Sequence, residues 1–156
     1  MGNIDFSAGA VLTAAQLNDI GDWKSWTPTL TNWTKGNATC EAKYMQIGET
    51  VYFQFYYLGG TTSAYTTGGM RFSLPPIASN TDLQYQPCGV GWARLNTGST
   101  IFSIFGMENG ENVVLYAQKA NSTFTYNDVL DSLTPAAWQT SSPFGDIFFQ
   151  GWYKSA

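Results

Sequence analysis

The sequence predicts an all-β fold, a jelly-roll-like antiparallel β-sandwich preceded by a short N-terminal helix that serves as an anchor segment, and three observations predict it. Charged residues make up 12% of the 156 positions and aromatic residues 16%, where an average chain has about 25% charged. Such a composition suits pleated, half-buried surfaces. From Trp26 onward, turn residues recur every eight to twelve positions, the spacing of a sandwich or barrel. Helical periodicity is confined to the start of the chain. The sequence therefore divides into an N-terminal segment, residues 1–22, and a β-body, residues 23–156. A chain of this length buries roughly two-thirds of its unfolded surface, enough for one real core.

Residues 6–21 are Ala-rich, with Thr13 and Gln16 at capping-box spacing, Leu17 and Ile20 on one helix face and Gly21 placed to stop the helix. A helix of one to three turns is marginal in water unless its apolar face packs on something. Phe6, Val11, Leu12, Leu17 and Ile20 are therefore expected to dock, either on the β-body or on a partner.

The strand-like runs lie near residues 26–30, 37–47, 50–58, 70–74, 86–96, 100–107, 112–119 and 146–154. Eight strands fit a jelly roll. Gly48-Glu49 joins two of them as a two-residue turn with glycine first, which predicts a type II′ hairpin. Asn109-Gly110 is the strongest short hairpin signal in the chain and predicts a second. Residues 59–69, 75–87 and 121–143 read as long loops or sheet crossovers, with residues 126–140 an expected interaction loop.

The chemistry is bounded mainly by one absence. There is no histidine, which removes the commonest general base, the triads that depend on it and most catalytic zinc arrangements. Carboxylate chemistry remains, with Glu41, Glu49, Asp82, Glu108, Glu111, Asp128, Asp131 and Asp146 available. A glycosidase would need two of them across a cleft. Glu108 and Glu111 flank the expected Asn109-Gly110 turn, where acids face water, and Asp128 and Asp131 stand at helix-start spacing, so neither pair is expected to be catalytic.

No catalytic residue, metal site or cofactor is therefore expected. Cys40 and Cys88 read as two buried thiols in strands. The net charge is −4 and the seven basic residues are scattered, so a nucleic-acid interface is not expected. No apolar run reaches the ~20 residues of a membrane span and residues 1–5 lack a signal-peptide pattern. The expectation is a soluble protein made in a cytoplasm.

Aromatic residues divide by position. Trp33, Tyr57, Tyr65, Tyr85 and Trp138 fall in or beside expected loops, where exposed rings could stack on a glycan. Tyr44, Tyr52, Phe53, Phe55, Trp92, Phe102, Phe105, Tyr116, Phe148 and Trp152 fall in strands and are expected in the core or a subunit interface. Residues 51–58 and 101–105 are apolar on both faces of the strand. In so small a domain that predicts burial of the second face by another subunit.

Phe6-x-Ala8-Gly9-x-Val11-Leu12-Thr13-Ala14-x-x-Leu17-Asn18 resembles the N-terminal motif of many phage tail-fibre and minor structural proteins. Trp26-Thr27-Pro28-Thr29-Leu30, Gly36-Asn37-x-Thr39, Ala42-Lys43-Tyr44-x-Gln46-x-Gly48-x-x-Val51 and Phe72-Ser73-Leu74-Pro75 resemble the β-rich domain that follows it there. The resemblance covers about the first half of the chain, and none of its motifs is catalytic. It implies a virion protein assembled in the host cytoplasm, a homotrimer joined to other virion proteins through the N-terminal segment, with a β head that meets a host-surface glycan. The missing shaft between segment and head leaves a capsid decoration, cement or head-fibre protein as the alternative.

Overall fold

The structure, a computed structural model, describes Val11 and residues 20–65, 69–80, 86–94, 101–117 and 145–156. These residues form β1 (Lys24–Ser25), β2 (Leu30–Thr31), β3 (Trp33–Thr34), β4 (Thr39–Ile47), β5 (Thr50–Leu58), β6 (Ala64–Tyr65), β7 (Arg71–Ser73), β8 (Pro87–Arg94), β9 (Ile101–Asn109), β10 (Asn112–Ala117) and β11 (Asp146–Lys154). Among the described residues there is no helix. Every pairing is antiparallel, and nine strands make one sheet in the order β1-β4-β5-β11-β8-β9-β10-β7-β2, with β3 and β6 forming a separate ribbon. The expectation of an antiparallel all-β body is met. The expected helix runs from the Thr13 cap to Ile20; of these only Ile20 is among the described residues, in a turn.

Alternation decides which face is inside. On β5, Val51, Phe53, Phe55 and Tyr57 are buried while Tyr52, Gln54 and Leu58 are exposed; on β11, Ile147, Phe149 and Tyr153 are buried. A sheet with one apolar face must cover it with another layer. Here the sheet covers itself. Phe72 of β7 lies flat on Phe55 of β5 with ring centroids 4.4 Å apart, and meets Phe149 edge-on at 5.7 Å. β7 stands five places from β5 in the sheet order, so the right-handed twist has rolled the sheet until its far strands face each other. Gly106 of β9 makes room for this core, because a Cβ there would lie 2.4 Å from Cζ of Phe149 and 2.7 Å from Cγ1 of Val113.

The two edges of the rolled sheet belong to one short segment. β1 pairs with β4 at one edge and β2 with β7 at the other, and residues 26–29 cross between them. The crossing is bonded on both sides: Trp26 N–H donates to Ala42 O at 3.1 Å, Ser73 N–H to Thr29 O at 2.9 Å, and Thr29 N–H to Ser73 Oγ at 2.9 Å. The strand expected over residues 26–30 is thus a corner. Pro28 suits it, having no N–H to contribute to a ladder. Trp26 packs edge-on against Tyr44 and Phe53 at 6.0 and 6.3 Å, and its buried indole N–H has no acceptor among the described residues.

The two hairpins differ in how well they match expectation. Ile47 pairs with Thr50 across Gly48-Glu49, and Gly48 has φ 58° while Glu49 keeps a negative φ, the type II′ pattern. The second turn is displaced by one residue. Asn109 pairs with Asn112, so the loop is Gly110-Glu111, with Gly110 at φ 61°. The shift moves the register by two and leaves every side chain on its face, so Glu108 is inside because it continues the inward alternation of Ile104 and Gly106.

The ends of the roll are closed differently. At one, Trp33 of the β3–β6 ribbon covers Tyr57 and Phe55 with centroids 4.8 and 5.9 Å away, its indole N–H donating to Arg71 O at 2.8 Å. Asn37 holds the adjoining loops together by accepting from Thr62 N–H at 3.0 Å and donating to Thr61 Oγ1 at 3.1 Å. At the other, Tyr153 donates its hydroxyl to Ile77 O at 2.8 Å, and Ser155 N–H donates to Glu49 O at 2.7 Å.

Trp26→Ala is expected to destabilise the protein by about 3 kcal/mol through the lost ring. Trp26→Phe, which keeps a ring and removes the unpartnered N–H, is expected to cost far less. Chemical denaturation of both variants checks the ordering.

Candidate interaction surface

The outward side chains of β5, β11, β8 and β9 form a nearly uncharged surface. Register places Tyr52 beside Trp152, Gln54 beside Gln150, Gln150 beside Val90 and Val90 beside Phe105. One row over, Tyr56 neighbours Phe148, which neighbours Trp92. Trp92 and Phe148 stack at 6.3 Å, as do Phe105 and Tyr116 at 5.2 Å. Trp152 is 55% exposed, Val90 61% and Ile101 62%. The strands expected to be apolar on both faces are so, and their second face looks outward.

Charges stand only at the ends of this face, in pairs. At one end Arg94 grips Asp146 with both forks, Nε to Oδ1 at 2.9 Å and a terminal nitrogen to Oδ2 at 2.7 Å. The Asp146 side chain is buried and that of Arg94 half exposed. The hydrogen bonds it donates to Asp146, and then the charge of that carboxylate, hold the Arg94 guanidinium even more firmly protonated than usual. At the other end Lys154 meets Glu49 at 3.0 Å, with both side chains largely in water, where such a pair contributes little.

A buried polar group lies on the inner face. Glu108 is 7% exposed and neighbours Cys88, Tyr153 and Ser79. Burial pushes its carboxyl above the ordinary range, and a hydrogen bond from Ser79 opposes this. Burial, then the negative charge of Glu108, pushes the Cys88 thiol up to about 12, and burial raises that of Cys40 as well. Both cysteines are free thiols, Cys88 buried and Cys40 half-buried. Raised values keep them as poorly nucleophilic thiols.

Several expected site residues are placed elsewhere by the structure. Trp33 and Tyr57 are 5% and 1% exposed; they are core residues and not loop contacts for a glycan. Tyr57 continues the inward alternation of β5, and Trp33 is drawn in by its hydrogen bond to Arg71. Tyr65 is in β6, paired through its backbone with Trp33, and its side chain lies outside the described residues, as do Tyr85 and Trp138. Of the attachment residues, Val11 and Ile20 are exposed, while Phe6, Leu12 and Leu17 lie outside the described residues.

The carboxylates do not assemble into a catalytic pair in the described part. Glu41 and Glu111 are exposed, Glu108 is buried on the opposite face from Asp146, and Asp82, Asp128 and Asp131 lie outside the described residues. The expectation that Glu108 faces water is corrected: it follows Ile104 and Gly106 on the inward face of β9. Among the described residues no three His, Cys, Asp or Glu side chains are grouped to hold a metal ion. Neither a family model, nor a curated protein, nor a solved structure matches the chain.

Two predictions follow from these charges. Because folding raises the Glu108 pKa, folding favours the neutral acid: the benefit is fully present below the ordinary carboxylate range and is lost as pH climbs through the raised value. Glu108→Gln is therefore expected to stabilise the protein near neutral pH. That advantage should vanish in acid, as thermal unfolding across pH would show. For the ion pair, Arg94→Ala strands a buried carboxylate whereas Asp146→Asn removes the charge itself. Arg94→Ala should lower the denaturation midpoint more.

Proposed function

We propose that the chain is a non-catalytic structural component of a bacteriophage particle, a short trimeric fibre or tail-associated protein whose N-terminal segment joins the particle and whose β-body is displayed. One observation carries this reading: the described β-body closes its own seam. The seam is sealed by residues 24–31, and among the described residues the core draws on nothing before Trp26. Val11 and Ile20 point into solvent, which frees them for another protein. The resemblance of residues 6–18 to virion attachment motifs supplies the kind of partner. In this reading the two halves of the rolled sheet act as the layers of a jelly-roll-like sandwich.

Host-surface glycan contact, if part of this function, falls to Tyr65, Tyr85 and Trp138, since Trp33 and Tyr57 are interior. The alternative, a capsid decoration or head-fibre protein, is favoured by the short join: only Asp22 and Trp23 separate Gly21 from β1, leaving no shaft.

Deleting residues 1–21 is expected to leave a folded β-body that no longer joins particles. Co-sedimentation with particles and circular dichroism check the two halves of that statement. Labelled electron microscopy then places the intact protein, with copies on the tail supporting the fibre reading and copies on the shell supporting the decoration reading. An absence from both would overturn the proposal.

A further inference from the structure

The outward face of β5, β11, β8 and β9 is not required by the fold, and we infer that it is the contact through which copies of this chain associate. The inference goes beyond the trimer proposed above, because a face that meets its own copy makes a two-fold pair, whereas a three-fold ring joins two different patches.

Size is the first argument. Four strands about 4.8 Å apart, three of nine residues and one of eight, outline roughly 550 Å² in projection at about 3.3 Å per residue. Side-chain relief brings the accessible area near the ~800 Å² that each partner contributes to a standard interface. Composition is the second. The middle of the face holds Trp152, Tyr52, Val90 and Phe105 with the Gln54–Gln150 pair between them, an aromatic centre depleted in charge as in the core of an interface. Val90 and Ile101, the most exposed of the aliphatic side chains in these strands, have no polar group with which to hold a hydrophilic ligand. Water gains most when they are covered.

Charge selects a second copy over an unlike partner. The face has no net sign that would call for an oppositely charged protein. Each end instead carries both signs, Arg94 with Asp146 and Lys154 with Glu49. A surface with both signs at both ends can meet itself without like charges opposing, as a symmetric interface requires.

The test uses the full chain. Light scattering at micromolar concentration is expected to give an even multiple of the chain mass for the wild type and half that mass for Val90→Asp, with the far-ultraviolet dichroism unchanged. A monomeric wild type would overturn the inference. So would a Val90→Asp protein that stays as multimeric as the wild type, an outcome that leaves trimerisation through another face intact. Hydroxyl-radical footprinting of the wild type needs no substitution and covers the case in which Val90→Asp fails to fold. Trp152, at 55% the more exposed in a single copy, is expected to be oxidised much more slowly than Trp23, at 43%, which precedes β1 and lies outside the four strands. Equal rates would equally overturn the assignment.

Discussion

The structure depends on the packing of Phe72 across the core, flat on Phe55 and edge-on to Phe149. A lone sheet leaves one apolar face in water, and among the described residues no helix exists to cover it. The strands at the far end of the same sheet are the remaining cover. Once β7 lies over β5 and β11, the rest follows in order. The strands between must curve, Gly106 must leave room for Phe149 on the inside of the bend, and the rings of Phe53, Phe55, Phe72 and Phe149 come close enough to gain both burial and edge or stacked geometry.

Rolling a sheet brings its two edges near each other without joining them, and open edges invite pairing with other chains. The solution here is economical in chain length. One segment supplies both edge strands, two residues each, and its corner carries Trp26 down onto Tyr44 and Phe53. The seam is therefore held by backbone hydrogen bonds on both sides and by an aromatic ring in the middle. Its weak point is the indole N–H of Trp26, which folding desolvates without a partner among the described residues. The ring's packing outweighs that cost.

Much of this was legible in the sequence where local signals are strong. The bounds expected for β5 and β11, residues 50–58 and 146–154, coincide with those observed, because long apolar runs flanked by turn residues have no competing period. Tyr57 should also have been readable as core, since it continues the i+2 series of Val51, Phe53 and Phe55; its place beside a Gly/Thr-rich loop obscured that. Trp33 was not readable, because a two-residue strand has no period and its burial is set by Arg71, 38 residues away in sequence. Glu108 was readable as inward, since it continues the i+2 series of Ile104 and Gly106; its place beside the turn obscured that. A single rolled sheet in place of separate layers was beyond sequence reading for the same reason as Trp33: the pairings of β11 with β5 and β8 span long stretches of chain.

The inward and outward faces pose different physical problems. Inside, every aromatic is accounted for by the need to fill a rolled sheet. Outside, polar residues at the positions of Val90, Trp152 and Ile101 would leave the β-body equally well packed and its surface less prone to association, since these side chains support no part of the described core. Apolar groups that the fold does not use lower the free energy only when something else covers them. The pairing of opposite charges at both ends of the face, with none between, is the arrangement under which that cover can be the same surface of another copy. Stability of the β-body and its association are in this way divided between the two sides of the same strands, because alternation along a strand lets one nine-residue run serve both.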